Sequence, residues 1–165
     1  MTRYCLVLVA GAAACAVAEE APPSFDHAEQ TRNVSHVLDS LHAHAAAANG
    51  QAYFALFAPE AVFFGTDITE RWTLEQFRGY AMGRFDQGTG WTYILRPGTR
   101  NVEFDPSGTV AWFDEILDNA NYGETRGTGV IRLVDGAWRI AQYHLTIPVP
   151  NDLASRVVGM IRSID

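Results

Sequence analysis

The chain has 165 residues, a formal net charge of −7, and 12 basic residues that are all Arg, with no Lys. Its arginines are scattered among carboxylates rather than clustered, which excludes the basic face that a nucleic-acid partner needs. The only cysteines are Cys5 and Cys15, so thiolate metal sites and a Cys nucleophile are excluded from everything downstream of them.

Arg3 precedes an uncharged apolar run from Tyr4 to Val17, too short to span a bilayer alone, and Ala16-Val17-Ala18 supplies small residues before Glu19. Residues 1–18 therefore read as a signal peptide and 19–165 as a single exported domain, periplasmic or secreted. A second reading places a lipid anchor on Cys15 after Ala12-Ala13-Ala14, the one route by which this chain would meet a membrane. The mature chain then has no disulfide, and its length suffices for one core.

After a polar tail at Glu19–Pro23, Ser24 opens an amphipathic helix with Val34, Val37, Leu38 and Leu41 at three-and-four spacing, running to about Ala48 and stopped by Asn49-Gly50. Gln51–Phe57 reads as a short helix ended by Pro59, and Ala61–Phe64 as a short strand ended by Gly65. Thr73-Leu74-Glu75-Gln76 is a capping-box entry to a third helix, with Trp72 and Phe77 placed for a hydrophobic staple. Gly88–Gly90 turns the chain into strands at Trp91–Leu95, Val110–Leu117, Arg126–Val134 and Trp138–Ile147. Turns at Asp105–Gly108 and Val134–Gly136 and a loop at Asn119–Gly123 separate them. Asn151 caps a last amphipathic helix to Ile164, expected to pack on the body. The fold class is α+β: a strongly curved antiparallel sheet with three helices forming a cone-shaped cavity, plus a C-terminal helix. Both parities of the strands are apolar, which predicts a homodimer through the sheet.

Tyr53-Phe54-Ala55-Leu56-Phe57-Ala58, Phe64-Gly65-Thr66-Asp67, Glu70-Arg71-Trp72, Ala111-Trp112-Phe113-Asp114-Glu115, Arg126-Gly127-Thr128-Gly129-Val130 and Gln142-Tyr143-His144-Leu145, closing in Val149-Pro150-Asn151-Asp152, resemble the SnoaL-like branch of the nuclear transport factor 2-like superfamily. That resemblance implies a cone fold, often cofactor-free, whose members include isomerases, dehydratases, hydrolases and cyclases as well as proteins that bind without reacting.

In such a cone a carboxylate or His acts as base while Tyr or a protonated acid donates to a developing oxyanion. Asp114 and Glu115 are neighbours on one strand, so only one can enter the cavity, and the other is expected to contact an Arg such as Arg126 or Arg132. Glu115, Asp114 and His144 are the candidate catalytic residues, with Tyr143 assisting. His144 is placed by parity with Trp138, Ile140, Gln142 and Thr146. Tyr53, Phe57, Trp72 and Trp112 are candidate cavity walls, joined by Asp67 and Arg126. Asp67 has a competing role as a turn former. Gly127 and Gly129 bend their strand or admit a close neighbour, with no helix start that would make a phosphate loop. His27, His36, His42 and His44 all fall in the first helix without the spacing of a metal site, and no metal or cofactor is assigned. The leading expectation is an exported homodimer that binds a small, largely apolar molecule. Acid/base chemistry by a cavity carboxylate and association through a filled cavity are the alternatives.

Overall fold

A computed structural model describes residues 25–164. The segment expected to be a signal peptide, both cysteines, the tail and Ser24 lie outside the described residues. Helix α1 spans His27–Ala46 and is capped by Asp26, whose carboxylate accepts from the Glu29 amide at 3.0 Å. Val34, Leu38, Leu41 and Ala45 form its buried stripe. Helix α2, Gly50–Phe54, is capped by Asn49. It is shorter than its aromatic run suggests, because the backbone turns extended at Phe57 to begin β1, Phe57–Phe64.

Pro59 thus lies inside a strand rather than ending a helix. It is tolerated because the pairing of β1 shifts register between Phe57 and Val62, where no ladder amide is required of it. Two short strands escaped the sequence reading, β2 at Arg71–Thr73 and β4 at Asn101–Phe104. Each is too brief to show a period. Helix α3, Leu74–Phe85, starts as its sequence requires: the Gln76 amide donates to Thr73 at 3.3 Å, and the Gln76 side chain accepts from the Thr73 amide at 2.9 Å. Trp72 and Phe77 stack with centroids 5.8 Å apart, completing the staple.

The seven-stranded sheet runs β2-β1-β7-β6-β5-β3, with β3 at Ile94–Leu95, β5 at Val110–Asn119, β6 at Gly123–Val134 and β7 at Ala137–Thr146. β4 also pairs with β5, further along the same edge. All pairings are antiparallel except β1 with β7, so the sheet is mixed. The long excursion between those two strands supplies the crossover that a parallel pair needs. The sheet curves around α1 and α3, and the core fills the space between them.

Register then fixes which side chains face inward. Phe113–Gly129–Tyr143 and Glu115–Gly127–Leu145 are cross-strand rows on the concave face. Trp112–Val130–Gln142 and Asp114–Thr128–His144 are rows on the outer one. The two glycines admit close neighbours: a Cβ on Gly129 would stand 2.2 Å from the Gln142 carbonyl oxygen, and one on Gly127 would stand 2.5 Å from the Tyr143 hydroxyl.

The C-terminal helix α4, Asn151–Ile161, departs from expectation in two ways. Pro150 occupies the cap position with no side-chain cap bond, and none of the helix's residues is buried. Leu153, Val158, Met160 and Ile161 are 44–59% exposed, so its apolar stripe does not pack on the body of this chain.

Thr73→Ala removes the capping hydroxyl without touching the core and is expected to destabilise by about 1 kcal/mol in urea unfolding. Gly129→Ala forces a Cβ against the Gln142 carbonyl and the Phe113 ring and is expected to cost more than Thr73→Ala in the same assay.

Candidate functional site

A cavity of about 210 Å³ opens between α1, α3 and the concave face of the sheet. Its wall is aromatic from rim to base. Tyr80 stacks on Trp72 at 5.0 Å, Trp72 on Phe77 at 5.8 Å, Phe77 on Phe63 at 3.8 Å, and Phe63 on Tyr143 at 5.7 Å. Trp91, Tyr93 and Tyr122 complete the lining on the side of the β5–β6 loop. Tyr53 lines the cavity at 2% exposure, and among the described residues its hydroxyl has no hydrogen-bond partner. Burial raises its pKa well above the ordinary tyrosine value, so it is a neutral donor.

Behind this wall lies Glu115, fully buried. An isolated carboxylate there would be prohibitively costly, and three elements answer it. His42 of α1 places Nε2 2.8 Å from Oε1. Arg100, on the segment leading into β4, donates from Nε to Oε2 at 2.8 Å. Tyr143 of β7 donates its hydroxyl to Oε1 at 3.4 Å. Arg100 Nη2 also lies 2.8 Å from Oε2 but off the hydrogen-bond direction, which leaves that nitrogen without a bond. Nη1 is satisfied by the Ser35 carbonyl at 3.1 Å and the Asp39 carboxylate at 2.8 Å.

Burial is the largest single influence on Glu115 and pushes its pKa up. The hydrogen bond and charge of His42 and the charge and hydrogen bond of Arg100 together outweigh it, so the group is held below the usual carboxylate range. A carboxylate so stabilised is a poor proton acceptor. Its oxygens point at His42 and Arg100, and Glu115 does not itself line the cavity.

His42 does line it. Sequence reasoning examined this residue only as a metal ligand and passed over it. The available signal was helical phase: Ser35, Asp39 and His42 recur at four and three residues along the flank of the buried stripe. That flank is the one that meets Arg100 and Glu115. With Nε2 engaged by Glu115, Nδ1 has no partner among the described residues. No group of three His, Cys, Asp or Glu that could hold a metal occurs among those residues.

The remaining sequence candidates lie elsewhere. Asp114 is on the outer face and accepts from the Asn101 side chain at 3.0 Å, not from Arg126 or Arg132; Arg132 pairs with Glu60 instead. Trp112, 48% exposed, and the exposed Arg126 share that outer face and wall no cavity. His144 is displaced by a bulge: Ile131 pairs with Ile140 and Val130 with Gln142, so Ala141 is extra. Trp138 and Ile140 face the core before it; Tyr143 and Leu145 face the core after it. His144 therefore turns outward against Phe64, at 5.4 Å between ring centroids. Phe57 is buried behind Tyr53 rather than lining the cavity, and Trp72 is among the residues that line it. Asp67 is a turn former: its carboxylate accepts from the Thr69 amide at 2.8 Å and the Thr69 hydroxyl at 2.6 Å.

A model of the SnoaL-like domain matches residues 34–150. The chain belongs to the SnoaL-like family. No curated protein matches in sequence. Among solved structures, this SnoaL-like domain is similar to a nuclear transport factor 2-like protein of unknown function from Pseudomonas putida KT2440, at 12% identity and TM-score 0.61 over 78% of this chain and 93% of that one. It is also similar to a proposed scytalone dehydratase from Novosphingobium aromaticivorans DSM 12444, at 14% identity and TM-score 0.59 over 74% and 86%. A third is a proposed dehydratase of the same superfamily from Streptomyces avermitilis, at 8% identity and TM-score 0.62 over 74% and 99%. At these identities the likeness is one of fold.

Removing the carboxylate as Glu115→Ala leaves the Arg100 guanidinium, 7% exposed, without its main counter-charge, and is expected to cost about 3–5 kcal/mol in urea unfolding. Because the folded pKa of Glu115 is depressed, its contribution is fully present above the unfolded value of about 4.3 and is lost as pH falls through the lower folded value. Glu115→Gln is therefore expected to be less stable at neutral pH and to lose less stability on acidification through that window than the parent. Equal slopes would contradict this account.

Proposed function

We propose that this SnoaL-like domain binds a small, largely aromatic molecule in its cone and moves a proton on it with His42, as a cofactor-free isomerase or dehydratase. The observation that carries this reading is the His42–Glu115 pair set into an aromatic cavity. Glu115 fixes the ring and its tautomer through Nε2, and its negative charge, kept by Arg100, balances the imidazolium formed when Nδ1 takes a proton. A carboxylate base is disfavoured by the Arg100 clamp. Paired in this way, Glu115 acts as a positioning group.

For a substrate with an acidic C–H beside a carbonyl, His42 removes the proton, and the carbonyl oxygen gains charge that the unpartnered Tyr53 hydroxyl can meet with a hydrogen bond. The proton on His42 then returns either to another carbon of the same molecule, giving an isomer, or to a departing hydroxide, giving water and an unsaturated product. Both outcomes balance without a cofactor. The dehydratase names carried by two fold relatives agree with the second. The cavity volume suits one ring with substituents, since about 150 Å³ accommodates benzene.

A panel of small β-hydroxy carbonyl compounds bearing one ring, followed by ultraviolet absorbance of the conjugated product, tests this reading. His42→Asn is expected to lower kcat by about 10²–10⁴ while the protein stays folded. Saturable binding of the panel with no turnover would reduce the function to binding alone.

Export as a homodimer belongs to the same proposal. Export rests on the Arg3-led apolar run at the N-terminus. Association rests on the outer face, where Trp112 is 48% exposed, and on the uncovered stripe of α4. Trp112→Glu is expected to convert the dimer to a monomer in sedimentation velocity, whereas a parent protein that sediments as a monomer at micromolar concentration would overturn it.

A further inference from the structure

The lining of the cone is asymmetric in charge. Its inner part offers Tyr53 and His42, hydrogen-bonding groups among aromatic rings. Its rim carries one arginine, Arg84, in the last turn of α3, and one carboxylate, Glu70. These two rim charges are not equivalent. Glu70 is turned back on its own loop: its Oε2 accepts from the Asp67 amide at 3.2 Å and stands where a Cβ on Gly65 would be, 2.0 Å away. Arg84 is uncommitted. Among the described residues no carboxylate lies within 4.0 Å of it, whereas Arg96, Arg100 and Arg132 are all paired. Arg71 and Arg78 lie over the rings of Phe64 and Phe54, at 5.7 and 4.4 Å, and Arg84 has no such platform.

A free guanidinium at the mouth of an aromatic cavity whose rim carboxylate, Glu70, is turned to its own loop is selective for one end of a ligand, in a chain of net charge −7. At the other end the Tyr53 hydroxyl, a neutral donor on the cavity wall, is placed to donate to an oxygen of the ligand. The cavity volume takes one ring. We propose that the ligand of this cone is a one-ring aromatic acid whose inner oxygen meets Tyr53 and whose anionic group meets Arg84 at the rim. This rests on the reading that the cone binds an aromatic molecule, and adds to it the charge of that molecule and the residue that selects it.

Calorimetric titration at about pH 7 with 4-hydroxybenzoate, its neutral analogue 4-hydroxybenzamide and the cationic analogue tyramine tests the proposal. At about 20 mM salt the acid is expected to bind about fivefold more tightly than the amide, the size of one partly solvated ion pair. That preference is expected to vanish in Arg84→Gln and to shrink in about 0.5 M salt, with amide affinity unchanged in both. Arg84 is exposed and unpaired, so the variant is expected to keep the parent melting temperature. Tyr53→Phe is expected to weaken acid and amide alike, by about tenfold. Equal affinity for acid and amide, or a preference for tyramine through Glu70, would overturn the acid assignment while leaving aromatic binding in place. No binding by any of the three would overturn both readings together.

Discussion

The rest of this structure is arranged around one buried negative charge. Glu115 sits in the middle of β5, on the concave face, with no exposure to water. A carboxylate in that position has two exits: take up a proton or acquire partners. The chain takes the second. The partners come from elements far apart in sequence: His42 from α1, Arg100 from the segment before β4, Tyr143 from β7. Each must therefore be held where it is for the charge to be tolerated, and so the carboxylate ties the helix layer, the sheet edge and the sheet centre to one geometry. Arg100 is itself nearly buried and needs the α1 flank, through Ser35 and Asp39, to satisfy the nitrogen that Glu115 does not reach. Such a network is weak evidence for net stability, since a well-packed apolar core of the same volume could be equally stable. Its effect is instead to fix where one imidazole stands.

Two glycines make room for this arrangement. Gly127 lies opposite Glu115 across the β5–β6 ladder, and any side chain there would occupy the space shared by the Tyr143 hydroxyl and the Glu115 carboxylate. Gly129 performs the same service one row along, where Phe113 and the β7 backbone come close. In a sheet, glycine normally weakens a strand. Here the loss is local, and it admits the close approach of Tyr143, Glu115 and Phe113 to the strand.

Much of this was legible in the residues. The capping box and staple at Trp72–Phe77 were readable because both depend on contacts within one turn. The glycine pair announced a close approach, and the prediction that only one of Asp114 and Glu115 could face inward followed from the two-residue period of a strand. What could not be read was whatever depended on a change of that period. The extra residue at Ala141 in β7 inverts the facing of everything after it, so His144, aligned with Trp138 and Ile140 by counting, turns outward and Tyr143 turns in. A bulge is specified by the partner strand, and no local pattern marks it. Pro59 misled for a related reason: a second register shift in β1 accommodates a residue that reads as a helix stop. Arg100 and His42 were missed because their partner is brought to them only by the fold.

The division of the sheet into two faces has a consequence for chemistry. Asp114, Arg126, Trp112 and His144, four residues whose types suggest a site, lie together on the outer face, while the inner face keeps a single carboxylate and surrounds it with aromatic rings. The outer face is open to solvent, where charges are hydrated and screened. A charge on the inner face cannot. The dielectric environment therefore separates the decorative titratable groups from the consequential one more reliably than residue type does. By that criterion the group proposed to handle a proton is the one whose ring touches both environments: His42, with Nε2 tied to the buried carboxylate and its side chain on the wall of the cavity. A base in that position has the stabilisation of a buried counter-charge without having to be buried itself, and this is what a carboxylate clamped by Arg100 could not supply alone.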